Sequence, residues 1–329
     1  MKLAIVGATG MVGNVILEVL SERNLPISEL ILVASNKSIG QKIVYKEKKI
    51  KIISIEEALT KECDIAIFAA GGEISLIWAE KFAKTGTTVI DNSSTWRMKE
   101  NIKLIVPEIN ANILSKKDKI IANPNCSTIQ LVMAISSIHK THGIKRLVIS
   151  TYQSVSGTGK AALNQLYAER NGEYANKIYP HQIDMNCFPH GGDFEKNGYS
   201  SEEMKLVNET RKILNDDNIK ITSTVVRIPV IGGHSEAVNI ELNSEFNLAS
   251  IIDEISNTSG VKIIDDLDKN EYPMPITAHN KDDVFIGRIR RDISVKNGLD
   301  IWVVADNLRK GAATNAVQIA EYLIGNYLV

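Results

Sequence analysis

Seven residues near the start of the chain limit its architecture more than any others. Leu3 to Val6 reads as a compact apolar strand, Gly7-Ala8-Thr9-Gly10-Met11-Val12-Gly13 follows, and a helix is expected from there to about Glu22. Glycine at these positions allows a tight turn, close approach of backbone to a pyrophosphate, and close packing of helix on strand. The spacing is G-x-x-G-x-x-G, a relative of the dinucleotide fingerprint, and alone it is weak evidence. Here a strand precedes it and a helix follows it, which is the context a nucleotide site requires. A plain strand–turn–helix is the competing reading.

The next strand, Leu30 to Ala34, bears on which dinucleotide. NAD sites usually end this strand with an acid that bonds the ribose 2′-hydroxyl. This chain continues Ser35-Asn36-Lys37-Ser38-Ile39-Gly40, with no acid and a lysine among hydroxyls. That loop can bond a 2′-phosphate, so NADP is favoured over NAD; a solvated turn is the alternative. Ile43 to Ile53 reads as a peripheral hairpin, Cys63 to Ala70 as a buried strand ending in Gly71-Gly72, and Ile74 to Thr85 as a helix. Thr87 to Ile90 is a strand, followed by the polar loop Asp91 to Arg97. Strand and helix alternate over roughly the first 125 residues, which argues for a doubly wound parallel sheet.

A second feature is the apolar run Ile120-Ile121-Ala122, broken by Asn123-Pro124-Asn125 and followed by Cys126-Ser127-Thr128. From Thr128 to Ile138 apolar residues recur at helical spacing (Ile129, Val132, Met133, Ile135, Ile138). Cys126 therefore stands at a helix mouth, where unsatisfied N–H groups and the helix dipole favour an anion. A thiol there ionises more readily, and the thiolate is the nucleophile. A small buried apolar cysteine fits the same stretch.

The texture then changes. Leu147 to Gly159 is a β-branched strand running into a glycine-rich loop. Residues 160 to 220 are polar and read as irregular, with one helix from Ser201 to Leu214. Strands return at Ile219 to Pro229, Ala237 to Leu242 and Asp300 to Ala305, as in a mixed or antiparallel sheet. Gly311 to Leu323 reads as a closing helix that returns to the first domain. The expected fold class is α/β: a Rossmann-type domain over residues 1–127, completed by helix 308–329, and an α+β domain over residues 128–307 with a mixed sheet.

Composition excludes several classes. A net charge of −1 over 329 residues argues against a general nucleic-acid binder. Three scattered cysteines (Cys63, Cys126, Cys187) are no disulfide framework. The N-terminal run reads as a strand and not a signal peptide, and no apolar stretch is long enough to span a bilayer. A cytoplasmic location is expected. Of the six histidines, only His234 has a distinctive setting, Arg227-Ile-Pro-Val-Ile-Gly-Gly-His234-Ser-Glu236, a loop able to aim an imidazole. His181, Cys187 and His190 lack further ligands at metal spacing, so no metal is expected.

These pieces together resemble the aspartate-semialdehyde dehydrogenase family from end to end. The resemblance rests on Gly7 to Gly13, Ser93-Ser-Thr-Trp-Arg97, Asn123-Pro-Asn-Cys-Ser-Thr128, Gln153-Ser-Val-Ser-Gly157, Glu202-Glu-Met-Lys205, Arg227 to His234, and Asn307 to Gln318. It implies that Cys126 is the nucleophile, Gln153 orients the acyl intermediate and His234 is the acid/base. Arg227 would grip the substrate α-carboxylate, Glu202 would face its amino group, and Arg97 with Lys205 would bind phosphate, with Asn125 in the same site. The cofactor residues would be Gly7, Thr9, Gly10, Met11, Val12, Gly13, Ser35, Lys37, Ser38, Ser156, Gly157 and Asn315.

The implied reaction is NADPH-dependent reduction of L-aspartyl 4-phosphate to L-aspartate 4-semialdehyde, a step toward lysine or diaminopimelate, threonine and methionine, by a homodimer. The family often has arginine where Lys37 stands; lysine keeps the charge but loses the planar fork, so NADP preference is expected to be less strict. A related N-acetyl-glutamyl-phosphate reductase would carry glycine before the cysteine, where this chain has Asn125. A silent homologue has no chemical need for Cys126, Gln153, Arg227 and His234 together, and a thiol hydrolase leaves the glycine turn without a purpose. The run Arg288 to Arg291 is left open among an interface, an ion-pair network and an exposed patch.

Overall fold

A computed structural model describes residues 1–328. Its strands are β1 (Lys2–Val6), β2 (Glu29–Val33), β3 (Lys42–Tyr45), β4 (Lys48–Ile53), β5 (Ile65–Phe68), β6 (Thr88–Asp91), β7 (Lys103–Leu104) and β8 (Ile120–Ala122). There follow β9 (Ile144–Gln153), β10 (Lys220–Arg227), β11 (His234–Leu242), β12 (Val261–Ile263), β13 (Val284–Arg291) and β14 (Gly298–Ala305). The longer helices are α1 (Met11–Arg23), α2 (Gly72–Lys84), α3 (Cys126–His142), α4 (Lys160–Arg170), α5 (Ser201–Leu214), α6 (Leu248–Ser256) and α7 (Thr314–Leu323). Among the described residues no helix is long and apolar enough to cross a membrane.

The chain divides into two compact units, Met1–Asn125 with the segment from Ala312 onward, and Cys126–Gly311. The first holds an eight-stranded sheet in the order β3-β4-β2-β1-β5-β6-β8-β7, parallel throughout except for the β3–β4 hairpin. Strand order reverses around β1, which lies between β2 and β5, so the ligand crevice of such a sheet belongs at its carboxyl end. Leu3, Ile5, Ile65 and Ile67 are fully buried and share one core with Ile16 and Leu20 of α1 and with Ala316, Val317 and Ile319 of α7. Each such Leu or Ile contributes roughly 1.5–3 kcal/mol of burial energy. The C-terminal helix thus belongs to the first unit's core.

The second unit is built on a six-stranded mixed sheet, β10-β9-β11-β14-β13-β12. β9–β10 and β12–β13 are parallel and the other neighbours antiparallel. Along β9, Leu147, Ile149, Thr151 and Gln153 are buried while the residues between them are half-exposed, the period-two signature of a sheet covered on one face. α3 contacts the strands of this sheet and buries Ser127 through Ile135 without interruption, so it is a central helix and not a surface one.

Several local expectations needed correction. The helix predicted from Thr128 begins at Cys126 itself. Residues 160 to 220 are not irregular throughout, because α4 occupies Lys160–Arg170 and buries Ala162, Gln165 and Leu166. The basic run Arg288 to Arg291 lies in β13, where Asp265 accepts the N–H groups of Arg288 and Ile289, each at 2.8 Å. Arg290 pairs with Asp300 at 3.3 Å and Arg291 stacks on Phe246 at 4.2 Å, so the run is tied into local ion-pair and ring contacts.

Candidate active site

Register gathers the candidate residues of the second unit at one end of its sheet. β9 and β10 run parallel with Gln153 opposite Arg227, the last residue of each. β11 runs antiparallel to β9, which brings its first residue, His234, to the same end. β14 runs antiparallel to β11 and delivers Ala305 opposite His234, with Asp306 and Asn307 just beyond. Residues 153, 227, 234 and 307 thus meet because four strands end or begin there.

His234 is 0% exposed. The backbone N–H of Ser154 donates to its Nδ1 at 3.0 Å, so Nδ1 is an acceptor and the neutral ring carries its proton on Nε2. Nε2 has no hydrogen-bond partner among the described residues. Desolvation, with the Arg227 charge second, pulls the imidazole pKa down to about 3 against a weaker raising effect from Gly233, so the ring is neutral near pH 7. Gly157 lies against this edge: a methyl built there would sit 3.1 Å from His234 Nε2 and 3.4 Å from Arg227 Nη1. Arg227 is 6% exposed, donates from Nη1 to the Ser154 carbonyl at 2.7 Å and faces the Tyr179 ring. The Ser154 peptide therefore orients both side chains, one through its N–H and one through its carbonyl.

Cys126 opens α3 and is half-buried within an otherwise buried run from Ile121 to Gln130. Gly311 faces it: a methyl there would lie 2.8 Å from Cys126 Cβ. The neighbouring Ser127 hydroxyl accepts from Gln153 Nε2 at 2.9 Å, which ties the end of β9 to the first turn of α3. Gln130 reaches from the same helix to the His234 carbonyl at 3.4 Å. Behind them Glu236 is 0% exposed, and burial raises its pKa well above the usual carboxyl range. Gln130 and Ser127 lie close enough to oppose that rise, yet neither makes a well-formed hydrogen bond to the carboxyl.

Glu202 and Lys205 sit in the first turns of α5, which a Ser200–Glu203 capping box starts. The structure pairs them with each other through Lys205 Nζ and Glu202 Oε1. His181 packs on Phe188 and His190 on Phe194, and among the described residues no group of three or more acidic, histidine or cysteine side chains could hold a metal.

In the first unit Arg97 is 6% exposed, with Nε donating to the Asn123 carbonyl at 2.9 Å and Nη2 to the Asn92 carbonyl at 2.7 Å. Asn125 is 8% exposed. Asn315, expected among the cofactor contacts, is 0% exposed, and Nδ2 donates to Asn123 Oδ1 (2.7 Å) and the Ile105 carbonyl (2.9 Å). Its amide buttresses the Asn-Pro-Asn turn. Ser156, likewise expected there, is 4% exposed and bonds Asn307 and Ser154 in the second unit.

The glycine turn fits a dinucleotide. Gly7 has φ +98°, and a methyl on it would stand 2.6 Å from the Ala69 carbonyl oxygen; one on Gly13 would fall on the Gly7 carbonyl. Gly10 caps α1 without a side-chain hydrogen bond, which leaves the first-turn amides for an anion. Beside it lies a cavity of about 460 Å³ whose lining includes Gly7, Thr9, Gly10, Ser35, Asn36 and Trp78. Ser35 and Asn36 are exposed at its rim; Lys37 is exposed and does not line it, though it belongs to the same single 3₁₀ turn, Asn36–Ser38.

Ile55, Glu56, Ile74 and Trp78 also line this cavity and escaped the sequence reading. Only their position after β4 and within α2 marks them. Ser154, Asn307, Gly311, Gln130 and Glu236 escaped it as well. All but Gln130 lie within or beside motifs already singled out, but their partners are distant in sequence.

Two family descriptions match the chain: "Semialdehyde dehydrogenase, NAD binding domain" over residues 2–117, and "Semialdehyde dehydrogenase, dimerisation domain" over residues 135–310. An aspartate-semialdehyde dehydrogenase of Aquifex aeolicus is 50% identical, with 100% of this chain and 99% of the relative covered. One from Legionella pneumophila is 48% identical over 100% and 97% of the two chains. The crystal structure of aspartate semialdehyde dehydrogenase II complexed with ASA from Vibrio cholerae superposes with a TM-score of 0.95 at 44% identity, covering 99% of this chain and 98% of that one. With both domain types matched in order and relatives about half identical along its whole length, the chain belongs to the aspartate-semialdehyde dehydrogenase family of oxidoreductases.

Proposed function

We propose that this protein reduces L-aspartyl 4-phosphate to L-aspartate 4-semialdehyde with NADPH, reversibly, through a thioester on Cys126. The observation that carries the proposal is the convergence of Gln153, Arg227 and His234 at one sheet end, with Gln153 bonded to the residue after Cys126. The turn at Gly7, Thr9, Gly10, Met11, Val12 and Gly13, with Ser35, Lys37 and Ser38, would hold the dinucleotide, whose chemistry is delivery of a hydride.

In the reductive direction the Cys126 thiolate attacks the acyl carbon. The C–S bond forms, the bond to the phosphate oxygen breaks, and the departing phosphate takes up one proton. Gln153 orients the acyl group, while His234, neutral with its proton on Nε2, presents that proton to the substrate oxygen. After reduction the C–S bond breaks and Cys126 leaves as thiolate. Arg227 grips the α-carboxylate as a bidentate fork, Glu202 takes the amino group, and Lys205 and Arg97 take the phosphate. The Glu202–Lys205 pair must then exchange its mutual contact for the substrate's two opposite charges.

NADP is the proposed cofactor because Ser35, Lys37 and Ser38 follow β2 with no acid among them. A homodimer is proposed from the match of the second unit to a dimerisation domain. The three cysteines, all free, are consistent with a cytoplasmic enzyme.

The test is oxidation of L-aspartate semialdehyde assayed separately with NADP and NAD, with and without inorganic phosphate. Strict phosphate dependence and a kcat/KM at least about tenfold higher with NADP are expected. Equal rates without phosphate, or faster turnover of N-acetyl-glutamate semialdehyde, would overturn the assignment.

A further inference from the structure

Asn307 follows β14 at the end of the sheet where His234 begins β11, and it is 3% exposed. Its Oδ1 accepts the Gly233 N–H at 3.1 Å and the Ser154 hydroxyl at 3.0 Å, and its Nδ2 donates to Ser156 Oγ at 3.0 Å. The Gly233 amide can only donate, which fixes the amide with its oxygen toward the His234 loop. One side chain thus holds the residue preceding His234 and also Ser154, whose N–H sets the imidazole tautomer and whose carbonyl aims Arg227. Asn307 is itself anchored. The Asp306 carboxylate beside it is 2% exposed and accepts the N–H groups of Asn280 (2.8 Å), Leu308 (2.8 Å) and Arg309 (2.9 Å), with His279 Nδ1 at 2.8 Å.

We propose that Asn307 is the positioning residue of the His234–Arg227 pair, acting through Ser154 and Gly233 and never touching substrate. The inference rests on the roles proposed above for His234 and Arg227. Its physical basis is that Gly233, at φ +87°, is held in a left-handed conformation next to the imidazole. Without Asn307, the Gly233 N–H and the Ser154 hydroxyl lose a buried partner, and the loop is free to turn the ring. A displacement of about 1 Å at such a site costs on the order of 100-fold in rate.

The experiment compares Asn307→Leu, which keeps the branched shape with bulkier ends and removes every side-chain hydrogen bond, with Asn307→Asp, which keeps the acceptors. For Asn307→Leu, kcat is expected to fall by about 10- to 100-fold and the semialdehyde KM to rise several-fold. Its Tm is expected to fall by a few degrees, from the buried groups left unpaired, while the rate of Cys126 alkylation by iodoacetamide should stay near wild type. Asn307→Asp is expected to recover the KM, and to add an ionisation to the pH–kcat profile, because a buried carboxylate bonded to Ser154 raises the imidazole pKa. Wild-type kcat and KM in Asn307→Leu would overturn the proposal. So would an Asn307→Asp variant as impaired as the leucine variant with an unchanged pH profile, a result that also decides the matter if Asn307→Leu does not fold. Failure of the parent reading looks different, because His234→Ala would then keep its turnover.

Discussion

Thr9 and Gly10, at the tip of the glycine turn, are exposed, whereas His234, Gln153 and Arg227 at the sheet end of the second unit are 0%, 2% and 6% exposed. The turn works by omission. Missing side chains at Gly7 and Gly13 let strand and helix backbones meet, and its helix mouth is left uncapped. The sheet end works by cross-bracing: Ser127 meets Gln153, Ser154 holds Arg227 and His234 Nδ1, and Asn307 holds Gly233, while His234 Nε2 has no partner among the described residues. Recognition by backbone depends on space being kept empty, and the aim of the buried side chains depends on the few partners that brace them. Substitutions should therefore fail in different ways in the two regions.

The largest separable effect is expected at the turn. Gly7→Ala puts a methyl 2.6 Å from the Ala69 carbonyl at a positive φ. Calorimetry should show cofactor affinity reduced by at least about 100-fold. Alkylation of Cys126 should proceed as in wild type; if the thiol responds as strongly as the cofactor site, the two regions are not independent. Next comes Gly311→Ala at the other region, where the methyl would press on Cys126 Cβ at 2.8 Å. Turnover should fall by roughly 10- to 100-fold with cofactor affinity unchanged. A smaller effect is expected for Lys37→Ala, which should weaken NADP by about 5- to 20-fold and leave NAD unaffected. Equal losses for both cofactors would remove Lys37 from the 2′-phosphate.

The smallest effect is one of stability. Burial raises the Glu236 pKa in the native state well above the 4.5 near which the unfolded side chain ionises. The native state then binds more protons, so stability falls as pH rises above 4.5 until the raised native pKa is reached. His234 does the reverse: unfolded it protonates near 6.5 and native only near 3, so stability falls as pH drops below 6.5. Glu236→Gln should gain on wild type by up to about 1.4 kcal/mol for each pH unit above 4.5. Urea unfolding at several pH values reads this directly, and an offset that stays constant with pH would contradict a buried neutral carboxyl.

The same contrast governs what the sequence reveals. A turn made of glycines between an apolar strand and a helix is local, and so is α5, whose Ser200–Glu203 box and apolar spacing give Ser201 and Leu214 as its bounds. α4 was hidden because KAALNQLYAER follows a glycine-rich loop and carries few apolar anchors. β13 was hidden by its basic second half and by the register shift between Gly287 and Arg290. At the sheet end, motif and resemblance pointed to Cys126, Gln153, Arg227 and His234. The groups that hold them, Ser154, Asn307 and Gly311, owe their positions to strands up to 153 residues apart. Asn315, which the resemblance places among the cofactor contacts, donates from Nδ2 to Asn123 and Ile105, 192 and 210 residues away in sequence, a bracing that no local motif displays.

In the proposed reaction Cys126 carries the acyl group. Mixing the protein with L-aspartate semialdehyde and NADP in the absence of phosphate, then quenching for mass spectrometry, tests it directly. A burst of one NADPH per chain is expected, with an aspartyl thioester on the peptide containing Cys126 that is discharged when phosphate is added. No burst, or an adduct on Cys63 or Cys187 instead, would contradict it.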